Sequence, residues 1–300
     1  MRVLITGGTG LIGNVLIPML LERGYDIALL SRNPKPMDRI SSYAWNIEKG
    51  TMDLGALDKT DYIIHLAGAG IADRLWSQER KKEIIDSRTQ SIRLIYQNLK
   101  KLNQPIKACI SSGGIGYYGN RGDELLKEES DPGIGFLPQS CIEWERAVSE
   151  GNELDLRITQ FRVGMVLSRK GGGLKPLEKL SSFSLISPIG DGTQFISWIH
   201  IQDLCRMFIK AIESSEIKGI YNAVAPNPVR NREFTLALAK AMNRYSFLPS
   251  VPNFLMKTIL GEMSSIILDS TRVSSEKIQH SDFEFQFKTI EKAFLDLYPN

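Results

Sequence analysis

The chain has 300 residues, 42% of them hydrophobic, enough to enclose a large core in two domains or one elaborated domain. Its net charge of +3 comes from interspersed acids and bases, as in the run from Gln78 to Glu83, which reads as a solvated helix face and excludes the basic stripe of a nucleic-acid binder. Three scattered cysteines, Cys109, Cys141 and Cys205, exclude a disulfide framework and a metal cluster, and no apolar run suggests a membrane span, so a reducing, cytoplasmic location is expected.

Val3 to Thr6 predict a short buried strand, and Leu11 to Leu21 a helix with apolar residues at helical spacing. Between them stands Gly7-x-x-Gly10-x-x-Gly13, the strand-to-helix turn that cradles a pyrophosphate. Gly7 permits the sharp exit, Gly10 admits the ligand to the backbone, and Gly13 lets helix and strand pack closely. The helix start then offers N–H groups to the anion, which puts Thr9, Leu11 and Ile12 in the cradle with the glycines. Gly24 ends the helix and Tyr25 to Leu30 form a second strand. About twenty residues past the glycines an NAD enzyme places an acid on the ribose hydroxyl. Here stand Ser31 and Arg32, a hydroxyl and a guanidinium suited to a 2′-phosphate, so NADP(H) is the expected cofactor.

Further strands are predicted at Tyr43 to Asn46, Tyr62 to Ala67, Ile106 to Ser111 and, as one extended stretch, Leu156 to Leu167. Helices are predicted from Gln78, capped by Ser77, through Leu99, and from Leu137 or Ser140 to Ser149. This alternation argues for an α/β fold, a Rossmann-like doubly wound parallel sheet over residues 1–170. Ligands in such sheets lie at the carboxyl ends of the strands, so Leu66, Ala67, Gly68, Ser111 and Arg162 join the glycine turn on one rim as cofactor candidates. From about Gly171 the texture changes to glycine loops and helices at Ile201 to Ser214, Asn231 to Asn243 and Asn253 to Ile267. Residues 171–300 are expected to form a smaller, discontinuous substrate lobe, with some segments returning to the sheet.

Jointly, the glycine turn, His65-Leu66-Ala67-Gly68, Ser111-Ser112 with Tyr118-Gly119, and Trp198-Ile199-His200 resemble the extended short-chain dehydrogenase/reductase family of epimerases and dehydratases. Ser87-Arg88, Trp144-Glu145, Phe161-Arg162-Val163-Gly164 and Leu260-Gly261-Glu262 are similar to its atypical branch, labelled epimerase-family proteins or cell-division inhibitors. The resemblance spans essentially the whole chain. It implies a Tyr-x-x-x-Lys pair in which lysine lowers the tyrosine pKa for proton exchange during hydride transfer. Aligning Glu145 with the acid that commonly follows the lysine puts Leu137 and Cys141 at those two positions, and no tyrosine lies between Tyr118 and Tyr221. The usual proton relay is absent.

Tyr117 and Tyr118, just past the fifth strand, and His200 are the substitute acid–base candidates, each set against an ordinary packing role. Arg88 and Trp198 are the candidate substrate contacts, the alternatives being a surface ion pair and interlobe packing. No metal site is read, since His65 and His280 have no partner pattern. Two functions stay open: an NADP(H)-dependent epimerase-like oxidoreductase acting on a small polar substrate, and a non-catalytic NADP(H)-bound regulator linked to cell division. A homodimer or a regulatory protein is a possible partner for either.

Overall fold

Uninterrupted apolar runs become the centre of one sheet, because both of its faces are covered. The structure, a computed structural model, describes residues 1–35, 38–244, 246 and 249–299. Strand β1 (Arg2–Thr6) leads through the glycine turn into α1 (Gly13–Glu22), followed by β2 (Asp26–Ser31), β3 (Ile40–Asn46) and the short β4 (Thr51–Met52). Val3, Leu4 and Ile5 are fully buried, as expected for a strand with no solvent face. Helix α1 starts later than its periodicity suggests, which leaves Leu11 and Ile12 in the turn.

Next come β5 (Thr60–His65), the long α2 (Gln78–Leu102), β6 (Ala108–Gly114), β7 (Leu125–Leu126), α3 (Phe136–Ser149) and β8 (Arg157–Val163). Ser77 caps α2 by accepting from the Arg80 N–H at 3.2 Å, and Asn103 ends the helix in the left-handed region with φ 48°. The chain continues through β9 (Met165–Leu167), α4 (Leu174–Ser182), β10 (Phe195–Ile196), β11 (Trp198–His200), α5 (Ile201–Glu213), β12 (Gly219–Ala223), β13 (Val229–Arg230) and α6 (Asn231–Ala241). Last are α7 (Asn253–Leu260), α8 (Ser265–Leu268), β14 (Arg272–Val273), α9 (Glu276–Gln279) and α10 (Ile290–Leu297).

The main sheet has the order β12-β8-β6-β5-β1-β2-β3-β4, parallel throughout except for the β3–β4 edge. This is the doubly wound Rossmann-like arrangement. Its order reverses at β1, so β1 and β5 flank the crevice in which such sheets bind ligands. One face is covered by α1 and α5, whose Leu16, Leu20, Leu204 and Phe208 pack against Val3, Ile5 and Ile110. The other is covered by α2 and α3, with Ile92, Ile95, Trp144 and Ala147 against Leu4 and Ile63.

A separate cluster around Trp198, Phe234 and Phe294 forms the core of the C-terminal part. The longer elements without a counterpart in the sequence expectations are α4, β12 and α10, and the short β4, β7, β10, β11, β13, β14 and α9 have none either. Two expected elements are divided. The stretch from Leu156 breaks at Gly164 into β8 and β9, and the helix from Asn253 breaks at Gly261, whose φ of 55° no continuing helix tolerates. Among the described residues no helix is long and apolar enough to cross a membrane.

Candidate cofactor cleft

The parallel register brings the carboxyl ends of β1, β2, β5, β6 and β8 to a single edge, and the glycine turn lies at its centre. Gly7 has φ +67°, and a Cβ there would stand 2.8 Å from the Leu66 carbonyl carbon, against the exit of β5. Thr6 Oγ1 fastens that exit by accepting from Leu66 N at 3.2 Å and Ala67 N at 3.1 Å. A Cβ at Gly13 would collide with the Gly8 backbone, so only glycine lets α1 begin this close to the turn. Gly10 N donates to Gly7 O at 2.9 Å, and Thr9 and Gly10 are exposed. Asn14 N donates to Gly10 O at 3.0 Å and Leu16 N to Ile12 O at 2.9 Å, which leaves the N–H groups of Leu11, Ile12 and Gly13, without an acceptor among the described residues, as the seat for an anion.

At the end of β2, Ser31 Oγ accepts from Asn33 N at 3.2 Å, while Arg32 is exposed. Among the described residues Arg32 makes no ion pair or hydrogen bond, so its fork is unengaged. Gly68 lies under Arg88, and a Cβ added there would approach Arg88 Cζ to 2.9 Å. The loop beyond Gly68 is held by Arg80, which pairs with Glu83 at 2.7 Å and Asp73 at 3.5 Å and bonds to Gly70 O. Trp76 Nε1 donates to Ile71 O at 2.8 Å within the same loop. From the C-terminal part, Gly171 and Gly172 close against Leu11, and Glu262 pairs with Lys81 of α2.

Other candidates are engaged within the protein itself. Arg162 is 2% exposed and its donors are consumed within the protein. Its Nε and Nη2 grip Glu145 at 2.7 and 2.9 Å, and its Nη1 donates to Tyr118 OH and to Glu128 O, both at 3.0 Å. With four of its five N–H donors engaged in this way and the group buried, Arg162 is placed as a structural clamp and not toward a cofactor phosphate. Tyr118 is fully buried; its hydroxyl donates to Asn222 Oδ1 at 2.7 Å, and burial pushes it up to about 12. It is not placed to exchange a proton with a ligand. Ser111 is also fully buried, with Oγ 3.2 Å from His65 Nδ1 and bonded to Ser112 O, which points its hydroxyl into the sheet.

His200 caps α5, accepting from Gln202 N at 3.3 Å, and its ring packs on Phe287 at 3.8 Å between centroids. Its Nε2 lies 3.3 Å from Asp296 Oδ2 without hydrogen-bond geometry. Burial lowers its pKa against the pull of Asp296 and Asp203. These neighbours belong to the C-terminal part, so His200 does not join Tyr117 in a relay. Trp198 is likewise no substrate contact: it is fully buried in the C-terminal core, with Nε1 bonded to Asn227 O at 3.0 Å. Tyr117 alone of the three acid–base candidates stays partly exposed, its ring centroid 3.4 Å from Arg162 Cζ.

Helix α3 carries the positions aligned with the missing pair. Cys141 Sγ donates to Gly114 O at 3.5 Å, and Leu137 Cβ lies 3.4 Å from where a Cβ of Gly116 would stand. Both therefore face the end of β6. Burial holds the Cys141 thiol protonated, at about 12.

The match to known proteins covers the same ground. Residues 3–139 match the NAD dependent epimerase/dehydratase family, and residues 251–297 match a domain of unknown function, DUF1731. An epimerase family protein of Mycobacterium leprae is 32% identical over 293 residues, which are 97% of this chain and 94% of that protein. The chain belongs to the NAD dependent epimerase/dehydratase family. A chloroplastic epimerase family protein of Arabidopsis thaliana, named as an SDR39U1 homolog, is 32% identical over 301 residues, 98% of this chain and 85% of that one. The crystal structure of human epimerase family protein SDR39U1 with NADPH superposes with a TM-score of 0.89 at 28% identity, covering 100% of both chains. The names support the epimerase family and leave the cell-division label without support.

In this epimerase-family protein, sequence reasoning missed Glu128, Glu145 and Asn222 as the partners that enclose Arg162 and Tyr118. Only the Trp144-Glu145 motif hinted at one of them. It also missed the Lys81–Glu262 pair that ties the C-terminal part to α2 across the cleft.

Proposed function

We propose that this protein binds NADP(H) and works as an epimerase-like oxidoreductase on a small polar substrate in the cleft above β5 and β6. The observation that carries the cofactor choice is Arg32, an unengaged guanidinium at the end of β2 where an NAD site has an acid. The NADPH bound by human SDR39U1 supports the same choice. The turn from Gly7 to Gly13 fits a pyrophosphate, because Gly7 and Gly13 let it close on β5 and α1 while Gly10 leaves the exposed backbone without a side chain.

Bound NADP(H) would supply or accept the hydride. The protein's own part is to bind through the turn and Arg32, to exclude water with the Gly171–Gly172 loop and the Lys81–Glu262 pair, and to hold a proton on Tyr117. NADPH is expected to bind at least about tenfold more tightly than NADH, and Arg32→Ala to erase the difference. Equal affinities in the unmutated protein would overturn the 2′-phosphate reading. Tyr117→Phe is expected to keep that affinity and lose hydride transfer to the nicotinamide.

Leu137 and Cys141 at the end of β6 favour a second reading, a non-catalytic NADP(H)-bound regulator. Recovery of a protein partner that depends on NADP(H), with no substrate turned over, would support it. A cytoplasmic location agrees with the three free, buried cysteines.

A further inference from the structure

Arg88 carries a charge that its surroundings do not balance. Its guanidinium lies across Gly68 at the end of β5, donates from Nη1 to Ile84 O at 2.9 Å, and has Cζ 4.9 Å from the Trp144 ring centroid. Among the described residues no carboxylate pairs with it. The titratable groups around it come from three elements, and none is an anion without a partner of its own. His65 of β5 is fully buried between Ser111 and Ser91 and is held neutral, at about 3, by burial and by Arg88. Cys141 of α3 keeps its proton. Arg80, one helical layer back on α2, is a second cation whose own acids, Glu83 and Asp73, are already engaged. Glu145, one turn beyond Cys141, is bound at both oxygens by Arg162.

Arg88 is half-buried, and taking a charge partly out of water without a pair is costly, so desolvation lowers it to about 10. Gly68 follows the strand next to the glycine turn, and Cys141 touches Gly114 at the end of β6, so Arg88 borders the path from the turn to the end of β6. We propose that Arg88 is an anion subsite of the cleft, taking a phosphate or carboxylate group of the bound ligand. That group belongs either to the cofactor's pyrophosphate or to the substrate, which would then be an anionic small molecule. The subsite itself stands on the geometry of Arg88. Only the separation of the two sources rests on the proposed NADP(H) binding.

The test uses the full-length protein, inorganic phosphate as probe, and the variants Arg88→Gln and Arg88→Lys. Phosphate is expected to raise the melting temperature and to perturb tryptophan fluorescence, with the fluorescence change absent in Trp144→Phe. Arg88→Gln is expected to weaken that response at least about tenfold, and Arg88→Lys to retain most of it because the charge stays. NADPH titrations separate the sources. A tenfold loss of NADPH affinity in Arg88→Gln assigns the anion to the cofactor. Unchanged NADPH affinity, with phosphate still binding the NADPH-saturated protein, assigns it to the substrate. An unmutated protein that binds phosphate through Arg88 but no NADPH removes the cofactor reading and leaves the subsite standing. The proposal fails if Arg88→Gln responds to phosphate and NADPH as the unmutated protein does. It fails equally if Gln and Lys variants lose both responses together with the folded state, since Arg88 would then serve packing alone.

Discussion

Arg162 was open to two readings, a cofactor contact and an ion pair to the protein's own acids, and its surroundings are those of the ion pair. It does stand at a strand end on the rim, but its side chain is 3% exposed and faces Glu145, itself 12% exposed. Four of its five N–H donors are spent on Glu145, Tyr118 and Glu128. An enclosed pair of this kind contributes little net stability relative to an apolar pair, yet losing one partner strands the other charge. Glu145→Ala is therefore expected to cost about 3–5 kcal/mol in urea denaturation, whereas Arg32→Ala, fully at the surface, should stay within about 0.5 kcal/mol. A cost for Glu145→Ala below that of an ordinary surface change would mean that Arg162 finds another partner, and would reopen its assignment to the cofactor.

At the scale of elements, what the sequence disclosed depended on how locally each element is determined. Strands β1, β2, β5 and β6 are buried on both faces and read as plain apolar runs, and Ser77 announced α2 through its cap. Strand β12 opens on Gly219 and contains Asn222, so its identity comes from pairing with β8, about sixty positions earlier. Helix α10 was legible in principle, since Ile290, Ala293, Phe294 and Leu297 repeat at helical spacing behind Thr289. The glycine turn was readable because each glycine answers a local steric demand. The roles of Tyr118, His200 and Trp198 were not, because burial by distant segments decides them. The packing of α3 on α2 supports a sharper expectation. Cys141→Lys would bring a second cation beside Arg88 and should be destabilising, and the cost should fall by about 1 kcal/mol in an Arg88→Met background. An identical cost in both backgrounds would show that the two side chains do not sense each other.

At the scale of the whole molecule, segments beyond residue 170 return to the main sheet. Strand β12 extends the main sheet beyond β8, and α5 lies on the same face as α1, where Leu204, Met207 and Phe208 share a core with Val3, Ile5 and Phe161. Asn222 of β12 also completes the Tyr118 and Arg162 network, accepting from the phenol and donating its backbone N–H to Glu128 Oε1 at 2.8 Å. A fragment of residues 1–170 would keep the glycine turn and most parallel strands. It would also expose the part of one sheet face that α5 covers, leave β8 as a bare edge, and lose the acceptor for Tyr118. Each fully buried large side chain uncovered this way removes roughly 1.5–3 kcal/mol, and a few such losses exceed the 5–15 kcal/mol by which domains are stable. The fragment is expected to lack a cooperative urea transition and to aggregate, while the full chain unfolds cooperatively. A fragment that melts cooperatively and binds NADPH as the full chain does would show that the N-terminal half is an autonomous domain, with α5 and β12 as additions to it.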